Sequence, residues 1–390
     1  YDVIDRNEAK KIAEGNEYSF LHISRSEIDL PDHLDQYDPL VYEKARNNID
    51  TFLSKGILIR DEKPMLYIYR QTTGKQAQTG IVACVSIDDY LNNVIKKHEL
   101  TRVEKEKDRI NHFDICNANT EPVFLTNRDR YDIRSMIDAW IKSYDPVYDI
   151  KTADGVNHTL WIVDNETTIK SLVNLFEDIS SLYIADGHHR SASAVNVGLK
   201  RRKENPNYTG DEEFNYFLAV IFPDKDLIIL DYNRLVKDLK GLSPDQILSK
   251  ISLMYDIEKI KDGPYRPERK HILSMYLGGS WYKLVAKQSI IPDDPVKRLD
   301  VSILQDTILS PILGIDDPRT DNRISFVGGS KGLEELESLV DEDMADVAFA
   351  LYPVDIEDLL TISDEGKIMP PKSTWFEPKL GSGLFMHELV

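Results

Sequence analysis

The chain has 390 residues, of which 41% are hydrophobic and 29% are charged, a composition typical of a globular protein with a sizeable core. Its formal net charge is -19 at pH 7, which disfavours nucleic acids and anionic membranes as partners because both attract basic surfaces. The two cysteines, Cys84 and Cys116, are too few for a disulfide framework or a cysteine-based zinc cluster, so we expect free thiols in a reducing cytoplasm.

No apolar run approaches the roughly 20 residues of a membrane helix, and no secretion signal stands out, which also favours a cytoplasmic location. The length exceeds the usual range for one domain. The residues Leu242-Ser243-Pro244 are typical of the start of a helix, and they mark a candidate domain boundary. We therefore predict one domain over residues 1–240 and a C-terminal α/β domain over 241–390 that packs on it.

The first third of the chain alternates helical and strand patterns. It predicts helices at 8–14, 41–55 and 88–97, a strand at 20–23, and a hairpin made of 66–69 and 79–85. A highly charged segment follows at 98–112. Within it, charged residues three and four positions apart predict a solvated helix for most of its length.

The middle third has the clearest pattern, and it alternates strands with helices. It predicts strands at 158–163, 182–185, 217–222 and 227–230, a helix that Asn165 caps, and a second helix after residue 187. The last third predicts a hairpin at 272–277 and 281–286, helices at 301–309 and from 333, and a strand at 347–351. This order predicts a mixed α/β fold.

The segment Asp186-Gly187-His188-His189-Arg190 follows a buried strand and opens a helix. A glycine turn between a strand and a helix directs backbone N–H groups and the positive helix end at an anion. The two imidazoles and the guanidinium can donate hydrogen bonds to phosphate, and the carboxylate can hold Mg²⁺. The segment therefore predicts a phosphate site; the alternative is a turn whose polar residues only cap the helix.

Two further segments offer groups for chemistry. His98-Glu99 begins the charged segment, and a glutamate at a turn can act as a general base on a hydroxyl. Lys372, Ser373 and Thr374 follow a pair of prolines, and together with Lys379 they offer donors for a carboxylate or phosphate. This segment can equally be a rigid strap anchored by Trp375. The glycine-rich residues 327–332 lack the spacing of a Walker A loop and predict an ordinary turn.

Four segments together resemble a bacterial and archaeal family often labelled ParB-like or SpoOJ-like. They are the opening Tyr1-Asp2-Val3, residues 97–102, Ala185-Asp186-Gly187-His188-His189-Arg190, and Met369-Pro370-Pro371-Lys372-Ser373-Thr374. The resemblance covers nearly the whole chain. It implies a ParB/sulfiredoxin-like nucleotide-binding core with large additional N- and C-terminal elements. The distant relatives include free-serine kinases, which phosphorylate L-serine from ADP or ATP with Mg²⁺.

The resemblance assigns roles to individual residues. The phosphate motif of the kinases corresponds to Asp186–Arg190, and their catalytic glutamate corresponds to Glu99. The reactive cysteine of the sulfiredoxins is His188 here, which disfavours sulfiredoxin chemistry. The ParB proteins bind CTP and DNA, and the charge of this chain argues against DNA.

We therefore predict a cytoplasmic metabolite kinase that uses ATP or ADP and Mg²⁺, most simply an L-serine kinase, with no nucleic-acid or membrane partner. Gly187, His188, His189 and Arg190 would hold the phosphates, Asp186 would hold Mg²⁺, and Glu99 would act as the base beside His98. Thr101, Arg102, Lys372, Ser373 and Thr374 would bind the substrate. A nucleotide-dependent ParB-like binding module and a phosphoester hydrolase remain alternatives, and a homodimer is left open.

Overall fold

The computed structural model describes residues 4–390, so the Tyr1-Asp2-Val3 opening lies outside the described residues. The helices are α1 (Arg6–Ala13), α2 (Leu21–Ser24), α3 (Pro39–Ser54), α4 (Ile87–Leu91), α5 (Val103–Cys116), α6 (Tyr131–Ser143), α7 (Glu166–Glu177), α8 (His188–Glu204), α9 (Pro244–Ile251), α10 (Asp300–Leu304), α11 (Leu333–Asp341) and α12 (Ile356–Asp364). A π-helical turn, Gln305–Leu309, continues α10. Within the described residues, no helix has both the length and the apolar character needed to cross a membrane.

Strands and helices alternate along the chain, which confirms the predicted mixed α/β class. The strands are β1 (Leu66–Thr73), β2 (Gln76–Ser86), β3 (Ile95–Lys96), β4 (Ala118–Asn119), β5 (Val123–Asn127), β6 (Tyr148–Lys151), β7 (Asn157–Val163), β8 (Leu182–Asp186), β9 (Tyr216–Pro223), β10 (Ile228–Leu230), β11 (Tyr232–Val236), β12 (Tyr255–Lys259), β13 (Ile272–Leu277), β14 (Ser280–Ala286), β15 (Ile324–Gly328), β16 (Val347–Ala350), β17 (Trp375–Glu377) and β18 (His387–Glu388). The likeness to the ParB/sulfiredoxin fold stays a prediction.

The chain divides into two compact units. The first unit comprises Tyr1–Lys96, Thr101–Asp226 and Pro378–Val390, and the second comprises Lys97–Leu100 and Leu227–Glu377. The predicted domains, a core over 1–240 and a C-terminal α/β domain over 241–390, stay a prediction.

The first unit contains an eight-stranded mixed sheet of order β3-β8-β5-β9-β2-β1-β7-β6. The predicted hairpin is confirmed as the antiparallel pair β1–β2, in which Ile68 lies opposite Ile81. Apolar side chains from the sheet and from α8 form one core cluster, which includes Leu125, Ile184 and Val195. A second cluster joins the sheet to α6 and α7. Each fully buried side chain of this size contributes about 1.5–3 kcal/mol, so these clusters fix the strands that carry the site.

The second unit contains a six-stranded antiparallel sheet of order β12-β14-β13-β16-β11-β15, and β10 pairs with β17. The predicted hairpin β13–β14 turns at Gly278-Gly279, where both residues have positive φ. Helix α9 begins with a capping box between Ser243 and Gln246 and has Pro244 at its first position. The helix start predicted at residues 242–244 is therefore confirmed.

Three local predictions differ from the structure. Residues 20–23 were expected to be a strand but contribute to the short helix α2, where Ile23 packs in a buried cluster with Ala45 and Ile49 of α3. A four-residue apolar run fits a helical turn as well as a strand, so periodicity does not distinguish them. The helix predicted at 88–97 ends at Leu91, because residues 95–96 form β3 instead.

The third difference lies in the charged segment. Helix α5 is confirmed from Val103, but Asp108 and Arg109 are buried rather than solvated, with 3% and 6% of their surface exposed. The Tyr42 hydroxyl donates a hydrogen bond to Asp108 Oδ1 at 2.8 Å, and Arg109 Nη2 lies 2.8 Å from Asp108 Oδ2. Helix α3 supplies Tyr42 and covers this face of α5, a tertiary contact that charge spacing does not reveal.

Candidate functional site

The candidate site is the turn between β8 and α8 in the first unit. Strand β8 ends at Asp186, Gly187 adopts φ +96°, and α8 begins at His188. A left-handed conformation costs a residue with a Cβ about 1–2 kcal/mol, so glycine suits this position. Because glycine supplies no capping side chain, the helix presents its N-terminal backbone and the positive end of its dipole at the turn.

Asp186 is the acidic centre of the turn. Its Oδ1 accepts the Gly187 N–H at 2.8 Å, and its Oδ2 lies 3.1 Å from the Lys379 ammonium. Burial acts to raise the pKa of Asp186, but the nearby cations Lys379 and Arg190 outweigh it and hold that pKa below its usual value. The carboxylate is therefore ionised at physiological pH. The Gly187 N–H, assigned to phosphate from the sequence, already donates to this carboxylate.

Arg190 packs beneath the turn. A Cβ on Gly187 would lie 3.1 Å from the Arg190 guanidinium, so the side chain and the glycine are in close contact. Its Nη1 donates to the carbonyl of Pro122 and lies 4.0 Å from Glu121 Oε2. The other oxygen of Glu121 accepts a hydrogen bond from Ser382 Oγ at 3.1 Å. These contacts hold the guanidinium at the base of α8.

A C-terminal segment of the first unit, Pro378–Val390, supplies Lys379 and Ser382 to the turn. The carbonyl of Lys379 accepts a hydrogen bond from Gln71 Nε2 at 2.7 Å, and Gln78 Nε2 donates to Gln71 Oε1 at 2.8 Å. Further along the segment, the backbone N–H of residue 381 donates to the hydroxyl of Tyr69 at 3.2 Å. The central hairpin β1–β2 therefore fixes the segment that carries the lysine.

Sequence reasoning noted Lys379 as a donor but did not place it at Asp186, and it missed Glu121 and Ser382. The sequence signal for this placement was weak. Pro378 stiffens the chain before the lysine, and Gly381-Ser382-Gly383 allows a tight turn after it. Proximity to a turn nearly two hundred residues earlier depends on the order of the strands. That order is a property of the folded sheet.

Two predicted substrate residues lie at the start of α5 in the first unit. The backbone N–H of Arg102 donates to His189 Nε2 at 3.0 Å, so Nε2 accepts and a neutral His189 carries its proton on Nδ1. The Thr101 hydroxyl donates to Glu106 Oε2 at 2.6 Å, and Asn196 of α8 donates to the other oxygen of Glu106. The start of α5 is thereby joined to α8 beside the phosphate motif.

His98 and Glu99 belong to the segment Lys97–Leu100, which groups with the second unit. His98 is buried, Glu99 is partly buried, and the His98 carbonyl accepts the backbone N–H of Met369 at 2.8 Å. The second unit thus joins the His98-Glu99 segment to the start of the proline-containing segment 369–374. The sequence had indicated both segments, but not their contact.

The predicted substrate residues 372–374 also lie in the second unit. Lys372 adopts φ +56°, its carbonyl accepts Arg234 Nη2 at 2.9 Å, and its ammonium lies 5.6 Å from the centre of the Tyr232 ring. The Ser373 hydroxyl donates to the Pro370 carbonyl at 2.6 Å, so it stabilises the turn itself. These contacts are compatible with the strap alternative, and substrate binding by Lys372, Ser373 and Thr374 stays a prediction.

The family model described as "Protein of unknown function (DUF1015)" matches residues 1–302, and the chain belongs to this family. A search of curated proteins gives no match. Among solved structures, the chain is similar to a conserved hypothetical protein from Pyrococcus furiosus (12% identity, TM-score 0.38, covering 80% of this chain and 96% of that chain). It is also similar to a free serine kinase in complex with AMP (11%, 0.39, 81% and 91%) and to SbnI from Staphylococcus aureus (10%, 0.41, 79% and 85%).

Proposed function

We propose that this DUF1015 chain binds a nucleotide at the Asp186–Arg190 turn and transfers a phosphoryl group to the hydroxyl of a small metabolite, with L-serine as the acceptor. The observation that carries the proposal is the convergence of Lys379, Arg190 and the N-terminus of α8 on one glycine turn. The motif resemblance of residues 185–190 to the free-serine kinases supports the same function. In this proposal the core has the ParB/sulfiredoxin fold.

The electrostatics of the turn favour a phosphate over a neutral ligand. Lys379 and Arg190 lie next to Asp186 at the N-terminus of α8, and Glu121 is a second carboxylate, 4.0 Å from Arg190. A guanidinium can bind two phosphate oxygens at once, and a helix N-terminus binds anions without further help. The two side-chain cations are balanced by two carboxylates, so the preference for an anion rests on the helix N-terminus and on the hydrogen-bond donors of Lys379 and Arg190.

The residues at the turn also fit a divalent cation. Asp186 is ionised, and its Oδ1 keeps a lone pair beyond the one used by the Gly187 N–H. Mg²⁺ in phosphoryl-transfer sites is held by one or two carboxylates together with phosphate oxygens and water. Asp186 would hold the ion when a nucleotide is bound, and the ion would neutralise charge on the phosphates.

Glu99 is the proposed base, and local chain geometry supports it. Lys96 pairs with Tyr183 in the β3–β8 ladder, and the backbone of Arg102 bonds to His189, so both anchors lie beside the motif in the first unit. Glu99 is three residues from each anchor. Three residues span at most about 11 Å, which restricts the distance of Glu99 from both anchors.

The proposed reaction balances with few protein groups. The acceptor oxygen forms a bond to the terminal phosphorus, the bond from that phosphorus to its bridging oxygen breaks, and the hydroxyl proton passes to Glu99. The nucleotide leaves with one phosphate fewer, and Lys379 and Arg190 stabilise the charge on the transferred group. Positioning and charge stabilisation account for most catalysis of this type.

The test is to incubate the full chain with Mg²⁺, L-serine and either ATP or ADP, and to measure O-phosphoserine by mass spectrometry. Nucleotide binding is measured separately by calorimetry. Phosphoserine formation supports the proposal. Binding without phosphoserine favours the ParB-like binding module, release of inorganic phosphate without an acceptor favours a hydrolase, and no nucleotide binding rules out the proposed site.

A further inference from the structure

The first unit contains a cavity at the other end of β5 from the Asp186 turn. Phe124 of β5 lies opposite Asp186, whereas Asn127, three residues further along the strand, lines the cavity. The two places are therefore about 10 Å apart along the strand. The cavity has a volume of about 220 Å³ and opens to solvent, so it is smaller than the sites of drug-sized ligands and suits a small molecule.

The floor of the cavity is apolar. Four isoleucines from the sheet and from α6 line it together with Phe176 of α7; they are Ile81, Ile133, Ile137 and Ile221. Each of these isoleucines is at least nine-tenths buried, so the floor is well packed rather than a loose surface groove. A ligand that fills this space must have an apolar body.

The charged residues at the cavity divide into paired and unpaired groups. Arg134 bridges Asp129 and Asp226 at 2.9 and 3.1 Å, and Arg130 pairs with Asp132. Within residues 4–390, the remaining charged lining residues, Arg70 and Asp138, form no ion pair with another side chain. Arg70 is partly buried and Asp138 is exposed. The partly buried cation is therefore the group whose charge a ligand can best neutralise.

The guanidinium of Arg70 is held in a defined orientation. Its Nε donates to Thr79 Oγ1 at 2.9 Å, and its Cζ lies 5.5 Å from the centre of the Trp161 ring. These two contacts fix the plane of the group and leave its terminal nitrogens for another partner. A planar guanidinium held in this way suits the two oxygens of a carboxylate.

We propose that this cavity binds a small organic carboxylate with a compact apolar body. The carboxylate would pair with Arg70, and the body would lie on the isoleucine floor and Phe176. A monoanion fits better than a phosphate, because Asp129, Asp138 and Asp226 also line the cavity and would repel a doubly charged group. The inference uses none of the residues of the proposed kinase site.

Calorimetric titration of the full chain with 3-phenylpropanoate tests the proposal, with 3-phenylpropanamide and acetate as probes that lack the charge or the apolar body. We expect the carboxylate to bind at least about tenfold more tightly than either probe, and Arg70→Gln to weaken it about tenfold or more. The matched variant Arg298→Gln removes an exposed arginine of the second unit and should change nothing. Equal affinity for the amide, no measurable binding of 3-phenylpropanoate, or full affinity in a folded Arg70→Gln protein would overturn the proposal.

Asp138→Asn is a second test that does not depend on the folding of Arg70→Gln, because Asp138 is exposed. Removing this negative charge from the rim should tighten 3-phenylpropanoate binding by about twofold, and added salt should reduce the difference. Unchanged or weaker binding contradicts the proposal. Lys379→Met should leave 3-phenylpropanoate binding intact, so failure at the nucleotide site and failure here are distinguishable.

Discussion

The ammonium of Lys379 lies 3.1 Å from Oδ2 of Asp186, although the two residues are 193 positions apart in the chain. The pair joins the C-terminal segment to the end of β8. It also keeps Asp186 ionised in a place where burial opposes the charge. Lys379 therefore has two possible partners, the carboxylate in this structure and a phosphate in a nucleotide complex.

Lys379→Met should weaken the binding of ADP and ATP by about tenfold to a hundredfold, because a hydrogen bond to a charged group is worth about 1.5–3 kcal/mol. Calorimetric titration with each nucleotide measures the change. Lys75→Met removes an exposed lysine from the turn after β1 and serves as the matched control. Equal affinities in the two variants would exclude Lys379 from the phosphate site.

Gly187→Ala should lower the free energy of unfolding by about 1–2 kcal/mol, because alanine is strained at φ +96°. The new Cβ would also press on the Arg190 guanidinium and should reduce nucleotide affinity. Gly74→Ala shares the positive φ but meets open space. Chemical denaturation should therefore show similar losses in the free energy of unfolding for both variants, whereas only Gly187→Ala should bind nucleotide poorly. Intact nucleotide binding in Gly187→Ala would count against the proposed phosphate site at the Asp186–Arg190 turn.

Glu99→Gln should reduce phosphoserine formation by about 10²–10⁴-fold and leave nucleotide affinity unchanged, since general-base catalysis contributes that much and the amide cannot accept the proton. Turnover is measured by mass spectrometry and affinity by calorimetry on the same preparation. Glu104→Gln, an exposed site on α5, is the matched control. Full turnover in Glu99→Gln would remove this residue from the mechanism.

His112 should make stability depend on pH. Burial lowers the pKa of His112 to about 4, and its Nε2 lies 3.1 Å from the Ile23 carbonyl oxygen. The folded value lies below the unfolded value of about 6.5, so the unfolded chain binds the proton first as the pH falls. The free energy of unfolding is therefore highest above pH 6.5 and decreases by about 3 kcal/mol as the pH falls from 6.5 to 4.

The measurement is the free energy of unfolding across that pH range for the parent chain and for His112→Gln. The parent chain should lose about 3 kcal/mol more than the variant on acidification. His33→Gln removes an exposed histidine and should follow the parent chain. Parallel pH profiles for the parent and His112→Gln would contradict the assignment.

Asp108→Ala should destabilise the first unit by about 3–5 kcal/mol, because it removes one partner of a buried ion pair and the acceptor for Tyr42. Glu104→Ala lies on the exposed side of the same helix and should cost less than about 0.5 kcal/mol. Urea titrations of both variants compare the two positions. Similar midpoints would mean that burial of Asp108 contributes little to stability.

Local sequence was sufficient for most elements with strong signals. The β1–β2 hairpin, the helix capped by Asn165 and the Asp186-Gly187 turn all appear where the sequence predicts them, because periodicity, caps and glycine turns act over a few residues. Weak or short signals failed at residues 20–23 and 92–97. At both places the burial of a few side chains against distant elements outweighs local propensity.

The candidate site shows the same division. The functional groups of Asp186–Arg190 can be identified from the sequence, and the glycine turn that presents them is determined within these five residues. Lys379, Glu121 and Ser382 reach that turn only because the strand order brings the C-terminal segment and the start of β5 to the end of β8. Pairing between distant strands depends on how their side chains pack in the assembled sheet, and this information is spread over the whole chain rather than held in any one segment.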